Sequence, residues 1–170
     1  NRLVDAHLEV VSLVKPRLVL IENVRGFASM PHRDGCSFPD YVSRRLDDLG
    51  YDSWHEIVLA SDFGVPQTRP RFILIAARKG SLPGIDPFSR LRTSRRSFLV
   101  ERGLGPGRTT ARQAIGDLEV LRGGTVPDPE WGSQGFLTAR YAESEEPSAF
   151  VQLMRKGVSG PPTDMRLARH

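Results

Sequence analysis

Apolar positions recur near the start of the chain at steps of three and four: Leu3, Val4, Leu8, Val10, Val11 and Val14, with His7 among them. That period predicts an amphipathic helix, and Pro16 stops it, because proline lacks an amide donor and clashes with the preceding turn. The next apolar run, Leu18-Val19-Leu20-Ile21, shows no alternation. Such a run predicts a strand buried on both faces, the pattern of a parallel sheet flanked by helices on both sides. Glu22-Asn23-Val24 follows directly. A charged residue at that point sits at the carboxyl end of a central strand, where open α/β sheets place their ligands.

Residues 25 to 37 carry turn chemistry in Gly26, Pro31, Asp34 and Gly35, and predict a loop of functional length. A second helical stripe follows in Phe38, Tyr41, Val42, Leu46 and Leu49, with Gly50 as its stop. Trp54 to Ala60 and Arg71 to Ala77 read as strands. Helix, strand, helix, strand, strand is half of a doubly wound α/β fold, and three strands do not close such a sheet. After Arg78 the texture changes to Gly, Pro, Ser and Arg, so a boundary is expected near residue 79, dividing the chain into 1–78 and 79–170. Beyond it only Thr110 to Leu121 predicts a helix, and the rest reads as irregular. There is no internal repeat and no low-complexity tract.

Composition narrows the class. A chain of 170 residues with 39% hydrophobic and 26% charged residues fits a globular protein of one domain, or one and a fraction. The longest apolar run, Phe72 to Ala77, is far short of the roughly 20 residues that cross a bilayer, so no membrane span is expected. The net charge of +4 is unevenly spread. Lys79, Arg90, Arg92, Arg95, Arg96, Arg102, Arg108 and Arg112 face only Asp86 and Glu101 between residues 79 and 112, whereas 116 to 146 is acidic. The single cysteine, Cys36, forms no internal disulfide and fits a reducing, intracellular setting, and His7, His32, His55 and His170 lie without metal-ligand spacing. No metal is expected. The start, Asn-Arg-Leu-Val-Asp-Ala-His, has no initiator Met and no signal pattern, and is expected to begin inside a longer protein.

Two motifs carry chemistry together. The first is Glu22-Asn23-Val24. The second is Gly64-Val65-Pro66-Gln67-Thr68-Arg69-Pro70-Arg71, leading into Phe72-Ile73-Leu74-Ile75. If that approach is extended, Gln67, Arg69 and Arg71 point to one side, since side chains in a strand alternate with period two. Two arginines and an amide on one face make a donor-rich surface suited to phosphate or carbonyl oxygens. Taken singly, a Glu after a strand is a helix cap or ion-pair partner, and two arginines at spacing two are a solvated edge; the order and spacing of both motifs make them specific.

These residues resemble the DNA (cytosine-5) methyltransferase family, in which a Glu-Asn-Val motif ends one strand and a Gln-x-Arg-x-Arg motif, often after Gly-Val-Pro, opens a later one. Thr110-Ala111-Arg112-Gln113-Ala114-Ile115-Gly116-Asp117-Leu118 is similar to the segment that leads into the target-recognition region of bacterial members. The resemblance covers roughly residues 1 to 122. It implies a partial Rossmann-like, S-adenosylmethionine-dependent methyltransferase fold, the later half of the sheet, followed by part of an irregular target-recognition region. It also implies transfer of a methyl group to carbon 5 of a cytosine extruded from double-stranded DNA.

Cytosine is a poor electrophile at carbon 6. By the resemblance, Glu22 would activate it by donating to ring nitrogen N3 as a general acid, and Arg71 would hold the carbonyl O2. Arg69 would join the catalytic pair, binding a backbone phosphate or bracing the pocket; Gln67 would support the loop, Asn23 would hold the turn, and Asn23, Val24, Gln67, Arg69 and Arg71 would contact the substrate. A raised carboxyl pKa in a closed pocket would favour the proton transfer. The resemblance further implies a bacterial, cytoplasmic, nucleoid-associated enzyme of restriction-modification. The family's nucleophile lies in a Pro-Cys motif upstream of Glu-Asn-Val, and its cofactor loop lies further upstream; neither occurs here, and Cys36, downstream in a loop after Gly35, is no substitute. The 170 residues are therefore expected to be inactive alone, with no nucleophile in the chain. An RNA cytosine methyltransferase and a non-catalytic nucleic-acid-binding relative remain as alternatives. The sequence recognised and the oligomeric state are not encoded in these motifs.

Overall fold

The computed structural model describes residues 2–118, 124–141, 146–158, 166 and 167. These fall into two compact units, one of Asn1–Phe63 with Thr68–Phe98 and one of Gly64–Gln67 with Leu99–His170. The change of composition at residue 79 thus falls inside the first unit.

The first unit opens with helix α1 (Arg2–Val14), whose Val4, Leu8 and Val11 are buried. Strand β1 runs over Leu18–Val24, helix α2 over Phe38–Asp48, strand β2 over Tyr51–Leu59 and strand β3 over Pro70–Arg78. Ser37 caps α2, accepting from Asp40 N at 3.2 Å, and Pro39 in the first turn needs no amide partner. Gly50, at φ 85°, donates to Asp47 O at 2.9 Å and closes the other end, as its left-handed backbone allows. Residues 25–37 begin with a 3-10 turn (Arg25–Ser29) and continue as the expected loop.

The sheet order is β1-β3-β2, and both pairings are antiparallel. β1 and β2 therefore run the same way, joined through α2, with β3 inserted between them in the opposite sense. This corrects the expectation that β1 pairs within a parallel sheet. Residues 60–69, which join β2 to β3, hold no helix long enough for the crossover that a parallel pair needs, so β3 returns antiparallel.

β1 is also not a central strand among the described residues, and it is buried on one face only: Val19 is buried, while Leu18 and Leu20 are 62% and 65% exposed. Its buried side packs with Phe72, Leu74 and Ala76 of β3 against α1 and α2, in one core with Phe27, Phe38, Val42 and Leu46. Phe27 lies at the centre, with ring centroids 5.0 Å from Phe72 and 5.6 Å from Phe38.

A third helix, α3 (Pro87–Glu101), occupies the stretch read as irregular from the sequence. Asp86 accepts from Phe88 N at 3.0 Å, so an Asp cap followed by proline starts it. Gly103 N reaches Val100 O and Leu104 N reaches Leu99 O, both at 2.9 Å, the paired bonds of a glycine-terminated helix. The second unit holds α4 (Ala111–Ile115), continued by a 3-10 turn to Leu118, then β4 (Thr125–Pro127) paired with β5 (Leu137–Ala139), and α5 (Ala149–Met154). Thr110 and Gln113 form a reciprocal cap at α4. The helix expected over Thr110 to Leu121 is described only through Leu118; its last three residues lie outside the described ones.

Candidate active site

Glu22 lies within β1, two residues before its end, so the strand runs through the Glu-Asn-Val motif instead of stopping before it. In the register with β3, Glu22 opposes Ile73 and Val24 opposes Arg71. Opposed residues share a face, so Glu22 and Arg71 are diagonal neighbours on the side of the sheet away from the core. Arg71 Nε lies 2.5 Å from Glu22 Oε1. Two sequence motifs far apart in the chain thus meet through strand register, and they meet as an acid and a guanidinium in direct contact.

The pair is reachable from solvent. Glu22 is 53% exposed and Arg71 27% exposed at their side chains. An ion pair this open contributes at most about 1 kcal/mol to folding, so its stabilising value does not account for the placement. The second guanidinium arm, Nη1, approaches Pro70 O at 3.4 Å. Glu22 Oε2 and Arg71 Nη2 carry no protein hydrogen bond among the described residues, which leaves one acceptor and one donor of the pair unused. Asn23 Oδ1 accepts from Val24 N at 2.8 Å and fixes the backbone where β1 passes into the 3-10 turn.

The Gln-x-Arg-x-Arg motif is less regular than period two predicts. β3 begins at Pro70, and Gln67 N bonds Val65 O at 2.7 Å, a γ-turn with Pro66 at its centre. The strand's alternation begins at Pro70 and so includes Arg71, while Arg69 lies just before it and Gln67 closes the γ-turn. Arg69 is exposed, and Gln67 belongs to the second unit. Gly64 precedes that turn at φ 87°, and a Cβ there would stand 2.5 Å from Leu104 Cδ1, so both backbone and space call for glycine.

Sequence reasoning missed how α3 divides the arginines. Arg92 pairs with Glu56, on the same sheet face as Glu22 and Arg71, and lies 3.6 Å from Asp86. Arg95 Nε donates to Asp62 O at 2.6 Å. Arg90 and Arg96 point outward with no side-chain partner among the described residues. The Asp86-Pro87 cap was the signal that could have located this helix.

Residues 2–149 match the sequence profile of the C-5 cytosine-specific DNA methylase domain. The chain belongs to the C-5 cytosine-specific DNA methylase family. The type II methyltransferase M.XorII of Xanthomonas oryzae pv. oryzae is 32% identical over 176 aligned positions, covering 99% of this chain and 34% of that protein. M.NaeI of Lentzea aerocolonigenes is 45% identical over 76 residues, 45% of this chain and 18% of that protein. M.SacI of Streptomyces achromogenes is 30% identical over 125 residues, 73% of this chain and 31% of that protein. The chain therefore spans about a third or less of these methylases. Among its described residues no helix is long and apolar enough to cross a membrane.

A methylase of this family needs a place for S-adenosylmethionine. The turns that follow β1 and β2 here are the 3-10 segments Arg25–Ser29 and Ala60–Phe63, not glycine-rich loops opening a helix whose amides could hold a cofactor. The described residues do not fit the cofactor.

Proposed function

We propose that this chain is the base-binding part of a DNA cytosine-5 methyltransferase of the type II restriction-modification class, an enzyme whose methyl donor is S-adenosylmethionine and whose substrate is double-stranded DNA. The observation that carries the reading is the 2.5 Å contact between Glu22 and Arg71 on the open face of the sheet. A cytosine presented edge-on offers an acceptor at O2, an acceptor at N3 and a donor at its amine. Arg71 Nη2 would meet O2, and the Glu22 carboxyl, once protonated, would meet N3 and the amine. Glu22 would donate to N3 and accept from the amine, and Arg71 would hold O2, so that electron density pushed onto the ring by attack at carbon 6 meets a proton and a positive charge. The base must leave the duplex first, at a cost of a few kcal/mol. Arg69, exposed at the entrance to β3, suits a backbone phosphate; Gln67 and the γ-turn would support it, and Asn23 and Val24 would hold the strand end.

β1 and β2 run parallel through a helical crossover with an antiparallel strand between them, an arrangement compatible with the edge of a mixed, Rossmann-like sheet. Residues 79–170 would begin the target-recognition region, and the protein would work at the bacterial nucleoid. The 170 residues alone are expected to transfer no methyl group. Cys36, their one cysteine, holds its thiol proton against Asp34, which pushes its pKa up, the reverse of an activated nucleophile.

The test uses the full-length protein that contains this chain, with cofactor and cytosine-containing duplexes. Glu22→Gln should cut methyl transfer severely while DNA affinity stays near that of the parent. Transfer that survives the substitution removes Glu22 from the acid role, transfer to RNA alone makes the protein an RNA methylase, and binding without transfer in the parent makes it a non-catalytic relative.

A further inference from the structure

Between the 3-10 turn and α2 the chain forms a tight turn closed by a bridge between Pro31 and Ser37. His32 N donates to Cys36 O at 2.7 Å, and Gly35 N donates to His32 O at 3.0 Å. Three metal-binding side chains alternate along it. His32, Asp34 and Cys36 bring their ligand atoms within 4.8 Å of one another. His32 Nδ1 is 2.8 Å from Asp34 Oδ1, and Cys36 Sγ donates to the same oxygen at 2.9 Å.

The nitrogen is aimed before any ligand arrives. The His32 side chain is only 9% exposed, its ring stacks on Tyr41 at 4.0 Å between centroids and 10° between planes, and Phe38 meets it edge-on at 5.1 Å. Two aromatic residues at the start of α2 thus hold the imidazole with Nδ1 turned into the turn. Asp34 Oδ1 takes the contacts from both His32 Nδ1 and Cys36 Sγ, so the carboxylate sits between the other two ligand atoms.

A cation already occupies this position in part. Arg44 Nη2, from the middle of α2, lies 2.7 Å from Cys36 Sγ and 3.1 Å from Asp34 Oδ2. Its side chain is 61% exposed and can withdraw into water. The remaining donor set of imidazole, carboxylate and sulfur is one that borderline-soft Zn²⁺ prefers over the hard cations Mg²⁺ and Ca²⁺.

We propose that His32, Asp34 and Cys36 form a zinc site, with water as the fourth ligand, in which Zn²⁺ takes the place of the Arg44 guanidinium. The binding step converts the Cys36 thiol into a zinc-bound thiolate and releases its proton to solvent, while His32 binds as neutral imidazole and Asp34 as carboxylate. Contraction of the three atoms around a metal at about 2.0–2.3 Å asks only for side-chain rotation. The site would pin the segment that follows Glu22-Asn23-Val24 to the start of α2, and it does not depend on the methylation reading. It runs against the expectation of no metal, which rests on a survey for paired histidines or cysteines and passes over one residue of each kind at alternating positions.

Co²⁺, titrated into the reduced 170-residue chain at mildly alkaline pH, is the probe. A single equivalent should give a near-ultraviolet thiolate-to-cobalt band with the visible bands of four-coordinate cobalt, release protons, and be displaced by Zn²⁺. Cys36→Ser should remove the near-ultraviolet band, and Asp34→Asn should weaken binding by about tenfold or more. Arg44→Ala should tighten it, a direction that misfolding cannot imitate, with circular dichroism confirming that each variant is folded. A parent chain without the thiolate band, a band that persists in Cys36→Ser, or weaker binding in Arg44→Ala would overturn the site.

Discussion

The two compact units are held together by different chemistry. The first is built on apolar burial: Phe27, Phe72, Leu74, Val42 and Leu46 are almost wholly enclosed by α1, α2 and the sheet. In the second, the described buried apolar residues are few, Leu99, Leu104, Ala139 and Val151, and two carboxylates are buried beside them. Asp117 is paired with Arg155 and accepts from Tyr141 at 3.2 Å, while Arg155 lies over the Tyr141 ring. Asp128 accepts from Thr138 Oγ1 at 2.6 Å, from Trp131 N at 2.8 Å, from Glu130 N at 3.0 Å and from Arg166 Nε at 3.0 Å. Apolar burial tolerates changes of pH and salt; buried carboxylates tie a structure to both. The strand that carries Glu22 thus rests on an apolar core, whereas the second unit leans on buried, hydrogen-bonded carboxylates.

The chain's two tryptophans allow the contrast to be measured, since Trp54 lies in β2 of the first unit and Trp131 in the second. The largest effect is expected from Phe72→Ala, which empties the centre of the first core and should cost about 3–5 kcal/mol. Urea unfolding followed by Trp54 in a Trp131→Phe background should show the loss; a shift below about 1 kcal/mol would mean that the core does not carry this unit. Arg155→Met comes next. It leaves Asp117 buried without its cation and should cost about 1–3 kcal/mol, seen by Trp131 in a Trp54→Phe background.

Acid should separate the units without mutation. The Asp128 carboxyl is held below the ordinary range, first by the Thr138 hydroxyl, then by the Trp131 and Glu130 amides and Arg166. A depressed folded-state value means that its stabilisation is complete above the unfolded value of about 3.9 and is lost as pH falls through and below it. Asp34 of the first unit is held low as well but is 43% exposed against 4% for Asp128, so Trp131 emission should change at a higher pH than Trp54 emission, and Asp128→Asn should abolish that difference. Coincident acid transitions in the parent chain would show that the second unit does not rest on this carboxylate.

How much of this was legible in the sequence follows from the same physics. The stripes Val4, Leu8, Val11 and Phe38, Val42, Leu46 gave α1 and α2 directly, because helical period is a local property. Strand positions were legible too, but not strand direction. Leu18-Val19-Leu20-Ile21 reads as buried on both sides from composition, and only pairing shows which face is covered. α3 was hidden because its sequence is dominated by Arg and Ser, so charge drew attention away from the Asp86-Pro87 start and the Gly103 end. Glu22 and Arg71 were each identifiable from their motifs. Their contact was not, since it depends on the register of β1 against β3, which no local pattern encodes.

The smallest expected change in stability is also the one that divides the arginines of α3 by role. Arg92 and Arg95 spend their donors on Glu56 and on Asp62 O, so replacing either should loosen the helix from the first unit. Arg96 is exposed, without a side-chain partner among the described residues, and Arg96→Ala should leave both tryptophan-reported transitions where they are. In the full-length protein the same variant should weaken DNA binding about equally for all sequences. The slope of log affinity against log salt should flatten by about 1, as expected when one phosphate contact and its released counterion are lost. An unchanged slope would make Arg96 a solvated surface residue and leave the phosphate contacts to arginines outside α3. A changed slope in Arg92→Ala, with Arg96→Ala silent, would reverse the assignment and mean that the Glu56 pair opens when DNA binds.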